Sequence, residues 1–308
     1  MRVLCTFVVV LSCAAAWAQA PQKPDDVPTF KSEVNLVNVY ATVVDRRGAP
    51  VAGLGRDDFE VLEDGIPQNL ALFAREAELP LSIVLALDTS LSTRKDMKLE
   101  LDAAARFVKS ILRKQDGLSV YQFSEEVQEL VPFTSDLQRI DAGLRRAHVG
   151  AATAMYDAIY LASLALSKRH GRKVMVVITD GGDTVSRVDY AEAVRAAQIA
   201  DVIVYSIIDV PIAASAGRNT AGEHALIQMA EDTGGKFYYE SSPEQLDKAF
   251  REVSDELRTQ YLLGYYPSRR LSDSDYRRIE VRLKPGAAPK FAGLQVRHRA
   301  GYYTSKIE

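Results

Sequence analysis

The chain has 308 residues, 47% hydrophobic and 26% charged, with a mean hydropathy of -0.10, the balance of a soluble globular protein rather than a membrane or disordered one. Lys+Arg 38 against Asp+Glu 41 gives a net charge of -3. No long single-sign run accompanies it, which excludes a basic footprint for nucleic acid and a polybasic arm for anionic membranes.

Met1-Arg2, the apolar run Val3 to Leu11 and the small-x-small triplet Ala16-Trp17-Ala18 predict a signal peptide over residues 1–18. Cleavage after Ala18 is preferred because Pro21 would adjoin a cut after Ala20. The chain is then expected to be exported, to the periplasm or beyond. Val10-Leu11-Ser12-Cys13 loosely resembles a lipobox, so lipid attachment at Cys13 is the rival. Both cysteines, Cys5 and Cys13, fall in this segment. A mature chain without them has no disulfide, redox pair or thiolate metal ligand.

Residues 19–30, polar and proline-rich, read as a disordered lead-in. Over 31–79 a small β segment follows. Val37, Val39, Ala41 and Val43 alternate with polar residues, Asp58 to Leu62 and Leu70 to Phe73 give two more short strands, and Glu63-Asp64-Gly65 is a tight turn. The rhythm changes over 80–258. Ser82 to Leu87, Val174 to Ile178 and Val202 to Ile208 are apolar throughout, as strands covered on both faces are. Leu118 to Phe123, Val127 to Val131 and Lys236 to Tyr239 are further strands. Helical spacing appears over Met97–Ile111, Leu137–Leu144, Met155–Leu166, Tyr190–Ile199, Glu223–Glu231 and Pro243–Leu257. The alternation predicts an α/β fold: a doubly wound, mostly parallel sheet with helices on both faces. Residues 259–308 return to β, with strands at Tyr261–Tyr266, Arg278–Leu283 and Leu294–His298 separated by Ser272-Asp273-Ser274 and a Pro285–Pro289 loop. Each flank has too few strands to be stable alone. Together they are expected to build one small β lobe, with the α/β domain inserted between them.

Ligand sites in open parallel sheets collect beyond the carboxyl ends of strands. There the first apolar strand ends in Asp88-Thr89-Ser90-Leu91-Ser92 and the second in Thr179-Asp180-Gly181-Gly182-Asp183, while Gly150-Ala151-Ala152-Thr153 opens a helix. Asp88, Ser90, Ser92, Thr153 and Asp180 thus offer two carboxylates and three hydroxyls, an all-oxygen set suited to Mg²⁺ or Mn²⁺. The bland alternative makes the hydroxyls helix caps and Asp180-Gly181 a turn. Asp183 reads as a turn residue, with support of the site from outside its donor set as the other reading. Glu125-Glu126 reads as a solvated tip. His148, His170, His224 and His298 lack ligand spacing, and Tyr265-Tyr266 and Tyr302-Tyr303 read as packing residues.

Asp88-x-Ser90-x-Ser92, then Thr153, then Asp180 in Thr-Asp-Gly resembles the metal-ion-dependent adhesion site of von Willebrand factor type A domains. Phe123-Ser124 and Pro132-Phe133-Thr134 resemble the same family's core pattern, over about Leu81 to Leu257. The flanks, with Asp57 to Gly65, Gly264-Tyr265-Tyr266-Pro267 and Arg299 to Tyr303, are similar to a secreted bacterial group of VWFA-related domain proteins. The resemblance implies a non-catalytic binding module. Ser90, Ser92 and Thr153 would contact the metal directly or nearly so, Asp88 and Asp180 largely through water, and an acidic side chain of a protein or peptide ligand would complete the shell. Two other readings stand beside it. One is an envelope scaffold with a vestigial metal site. The other is a metal-dependent phosphohydrolase using Asp88, although the aspartate-type phosphatase pattern asks for Asp where this chain has Ser90.

Overall fold

The computed structural model describes residues 36–75, 79–91, 93, 97–209, 220–269, 276–284 and 293–304. The signal peptide, the lead-in, Ser92, the Ser272–Ser274 turn and the Pro285–Pro289 loop lie outside the described residues.

Strand β5 (Leu81–Asp88) is buried along its whole length, because helices cover both faces of its sheet. Ile83, Leu85 and Leu87 point to one face and Val84 and Ala86 to the other, as the two-residue repeat of a strand requires. The first face packs on α1 (Met97–Ile111), α2 (Leu137–Leu144) and α6 (Pro243–Leu257). The second packs on α3 (Met155–Ser167), α4 (Tyr190–Ile199) and α5 (Thr220–Thr233). Each enclosed Leu, Ile or Val contributes roughly 1.5–3 kcal/mol, so both layers hold the sheet.

That sheet runs β10 (Phe237–Glu240), β9 (Val202–Asp209), β8 (Arg172–Thr179), β5, β6 (Gly117–Phe123), β7 (Val127–Thr134). All neighbours are parallel except β6 and β7, which form an antiparallel edge pair. The fold is the mixed, mostly parallel α/β sheet expected.

The flanks form two antiparallel sheets. One runs β13 (Gln295–His298), β1 (Val37–Val44), β11 (Tyr261–Tyr265), β4 (Leu70–Arg75). The other runs β14 (Gly301–Tyr303), β12 (Tyr276–Leu283), β2 (Phe59–Glu63), β3 (Ile66–Gln68). Strands from before and after the α/β domain are neighbours in both. Their shared core holds Val39, Ala41, Phe59, Val61, Tyr261, Leu263, Ile279 and Val281. Glu63 is also enclosed, accepting hydrogen bonds from Tyr265 (2.8 Å) and Tyr302 (2.9 Å) and facing Arg277 at 3.4 Å.

The outer face of β1 meets the α/β domain. Glu256, in the last turn of α6, accepts from Thr42 (3.2 Å) and Tyr205 (2.6 Å) and pairs with Arg297. Arg172, the buried first residue of β8, donates to Gln260 (2.9 Å) and to the Leu257 carbonyl (2.5 Å). A buried polar cluster therefore joins lobe and domain near the amino end of β8, leaving the carboxyl ends of β5 and β8 clear of the lobe.

Candidate metal site

Asp88 closes β5 and is 1% exposed. Its Oδ1 accepts the Ser90 backbone N–H at 2.9 Å and its Oδ2 the Thr179 hydroxyl at 2.6 Å. The first bond is an Asx-type turn, which reverses the chain and returns Ser90 beside the carboxylate. Burial pushes the Asp88 carboxyl up to about 6, against the lowering effect of the Thr179 and Ser90 bonds, and the charge of Asp180 adds to the rise. Among the described residues no Lys, Arg or His forms an ion pair with Asp88. A buried carboxylate without a countercharge is costly, and a cation at this position relieves that cost.

Ser90 is itself buried. It precedes α1 by several residues, and the Met97 N–H at the start of that helix donates to the Thr93 carbonyl at 3.0 Å. The Thr93 hydroxyl in turn donates to the carbonyls of Asp88 and Ser90, each at 3.1 Å. This threonine fixes the turn from beneath.

Asp180 follows β8, the direct neighbour of β5, with Leu87 paired to Ile178. It is half-buried, and the Gly182 N–H lies 3.4 Å from its Oδ1. Gly181 has φ +89°, the left-handed region, and a Cβ there would stand 3.1 Å from the Glu223 nitrogen. Glycine thus permits both the turn and the close approach of α5.

Thr153 is brought to the same rim by a loop bonded on several sides. Gly150 N–H donates to Thr89 O (2.8 Å), Ala151 N–H to Glu125 Oε2 (2.7 Å), and Ala154 N–H to Ser124 O (2.6 Å). A Cβ on Gly150 would collide with the Ser124 side chain and with Glu125 Oε2. Thr153 does not cap α3. The N–H groups of Tyr156 and Asp157 in the first turn go to Asp183 Oδ1 (3.2 Å) and Ser186 Oγ (3.1 Å).

Of the five residues singled out, Asp88, Ser90, Thr153 and Asp180 lie on adjoining segments of one rim, and Ser92 is outside the described residues. The donor set fits a hard cation, because every candidate donor is oxygen. No group of three or more His, Cys, Asp or Glu gathers among the described residues, so hydroxyls would have to supply much of any shell.

The neighbouring residues sort differently. Asp183 accepts the Tyr156 N–H in the first turn of α3 and the Ser186 hydroxyl. Glu125 is exposed, yet its carboxylate binds the Thr153 loop, and the Ala151 N–H holds it below the usual carboxylate range. The His148 N–H donates to Gln122 Oε1 at 3.1 Å, anchoring the stretch before Gly150. Thr179, Thr184 and Glu125 were not picked out as site residues from the sequence. Only Thr179 had a local signal, its place just before Asp180.

Residues 83–182 match the family model described as von Willebrand factor type A domain. No curated protein matches the chain in sequence. Among solved structures, a von Willebrand factor type A protein from Catenulispora acidiphila is similar at 13% identity and a TM-score of 0.52, over 89% of this chain and 75% of that one. Proximal thread matrix protein 1 from the mussel byssus is similar at 15% identity and a TM-score of 0.50, over 69% of this chain and 51% of its own. The match spans about half of the byssus protein. The von Willebrand factor domain of the type V pili tip protein Mfa5 from Porphyromonas gingivalis gives 14% identity and a TM-score of 0.48, over 57% and 94%. At these identities the likeness is one of fold. The family match over residues 83–182, the parallel sheet and its two helical layers agree: the central α/β domain of this chain has the von Willebrand factor type A fold.

Proposed function

We propose that this protein is an exported, non-catalytic binding module that takes a protein or peptide ligand through a divalent metal, Mg²⁺ or Mn²⁺, held by Asp88, Ser90, Ser92, Thr153 and Asp180. One observation carries the reading. Asp88 is a buried carboxylate with no ion-pair partner among the described residues, at a rim to which separate chain segments bring Ser90, Thr153 and Asp180. With only two carboxylates and three neutral hydroxyls around it, a divalent ion is no more than neutralised and stays electrophilic, open to an acidic side chain of a ligand. The protein's own part is to hold the oxygens in place and keep the Asp88 side free of bulk water. Export rests on residues 1–18, and no helix among the described residues is long and apolar enough to cross a membrane.

The test is thermal melting of the purified protein in EDTA and then in Mg²⁺ or Mn²⁺ up to millimolar, beside Asp180→Ala. An ion bound only by the native state stabilises it by about 2.7 kcal/mol at a hundred times its Kd. The expected outcome is a metal-dependent rise in Tm for the wild type and none for the variant. A wild type indifferent to both ions would remove the metal reading and favour the scaffold.

A further inference from the structure

Thr184 stands four residues beyond Asp180 and binds Thr153 through both backbone groups. Its hydroxyl accepts the Thr153 N–H at 2.9 Å and lies 3.3 Å from the Thr153 carbonyl, to which it donates. The Thr184 N–H reaches the same carbonyl at 2.8 Å, and the Val185 N–H follows at 3.2 Å. None of these bonds uses the Thr153 hydroxyl. A hydroxyl is the smallest side-chain group that accepts from one backbone atom and donates to another at once. Neighbouring groups hold the segment in turn. Asp183 Oδ1 accepts from Tyr156 N–H and from Ser186 Oγ (2.5 Å), and Asp157 Oδ1 accepts the N–H groups of Arg187 (2.9 Å) and Val188 (3.0 Å). The chain after Asp180 is therefore laced to the start of α3 along several successive residues.

We propose that Thr184 is a positioning residue of the metal site: its hydroxyl clasps the Thr153 backbone to the segment that carries Asp180, so that the two donors are already in place before an ion arrives. This rests on the metal reading above. The argument is one of preorganisation. Thr153 and Asp180 lie on different segments, and ordering a loop at the moment of binding costs conformational entropy that a prebuilt loop has already lost. Thr184→Val keeps the shape and removes both hydroxyl contacts, leaving the Thr153 N–H short of an acceptor. Thr184→Ser keeps them.

The experiment compares wild type, Thr184→Val and Thr184→Ser in two readouts, the melting temperature in EDTA and the Mg²⁺ midpoint from calorimetric titration. Thr184→Val is expected to weaken the midpoint about ten-fold, as loss of roughly 1.4 kcal/mol would, and Thr184→Ser to return within about two-fold of wild type. A Thr184→Val protein that melts lower in EDTA yet binds Mg²⁺ at the wild-type midpoint overturns the proposal and makes the residue purely structural. Wild type without any Mg²⁺ response fails differently, since it removes the metal reading itself. Should the valine variant not fold, amide exchange on the wild type decides. Slow exchange at Thr153 and Val185 in EDTA, unchanged by Mg²⁺, supports a prebuilt clasp, while protection that appears only with Mg²⁺ overturns it.

Discussion

Glu240 ends β10 with both carboxylate oxygens enclosed and unbonded among the described residues. Asp209 stands beside it in register on β9. Burial, and then the charges of Asp209 and Asp247, push its carboxyl from 4.5 up to about 8. The folded protein therefore holds a proton there that the unfolded chain releases between these two values. Its contribution is complete below 4.5 and is lost as pH climbs through about 8. Glu240→Gln should melt higher than wild type at alkaline pH, by at most about 2 °C for each kcal/mol recovered, with the gap closing in acid. Melting curves across that range check it, and a gap independent of pH would refute the assignment.

His298 works in the opposite sense. Its Nε2 accepts the Val281 N–H at 3.1 Å and its Nδ1 donates to the Arg299 carbonyl at 2.7 Å, which fixes one neutral tautomer. Burial holds its pKa below 6.5, with Arg299 also lowering it while the Arg299 carbonyl and Glu280 pull it up. The stability it lends is complete above 6.5 and is lost as pH falls through the lower folded value. Protonation makes Nε2 a donor facing a donor, so acid should loosen the contact between β12 and β13 first. Amide exchange at Val281, followed as pH is lowered, reads this directly, and protection that persists in acid would count against it.

Among elements, the loops do the work of assembly. Gly150→Ala forces a methyl group into Ser124 and Glu125. It should cost about 1–3 kcal/mol of stability, as overpacking does, and should blunt the Mg²⁺ response as well. A variant that melts like wild type would show that the loop gives way without consequence. The same elements show what the sequence could tell. β5, β8 and β9 were legible because strands covered on both faces are apolar throughout, and their ends then located Asp88 and Asp180. β3 and β14 were not, since three residues with Pro67 or a tyrosine pair carry too little pattern. Thr184, Glu125 and Asp183 were equally hidden as holders of the Thr153 loop. Their roles are hydrogen bonds to backbone atoms some thirty residues away, and periodicity registers no such bond.

At the scale of the molecule, the buried cluster around Glu256 decides how lobe and domain hold together. Removing its carboxylate leaves Arg297 without its ion-pair partner and takes from the Thr42 and Tyr205 hydroxyls the acceptor they donate to. Breaking one side of a buried charge pair costs about 3–5 kcal/mol. Glu256→Ala should therefore lower the melting temperature far more than removal of the exposed partner in Arg145–Asp141, whose worth is at most about 1 kcal/mol. Equal effects of the two substitutions would argue against the junction as a main source of stability.

One pairing in the lobe reaches further. Arg75, where β4 ends before the α/β domain, lies opposite Tyr261, where β11 begins after it. β1 likewise finds its partner strands among the described residues in β11 and β13. As the chain emerges, the first four strands therefore lack most of their neighbours: β2 and β3 have each other, but β1 and β4 stay unpaired until nearly the whole chain has followed. Closing so long a loop is entropically expensive for an unfolded chain, but a domain folded in between shortens the gap to a single strand spacing. Connectivity predicts the order of events: the domain folds first, and the lobe closes last. Until it does, the waiting strands expose open edges, and a nascent chain of this design is most vulnerable to aggregation in that interval.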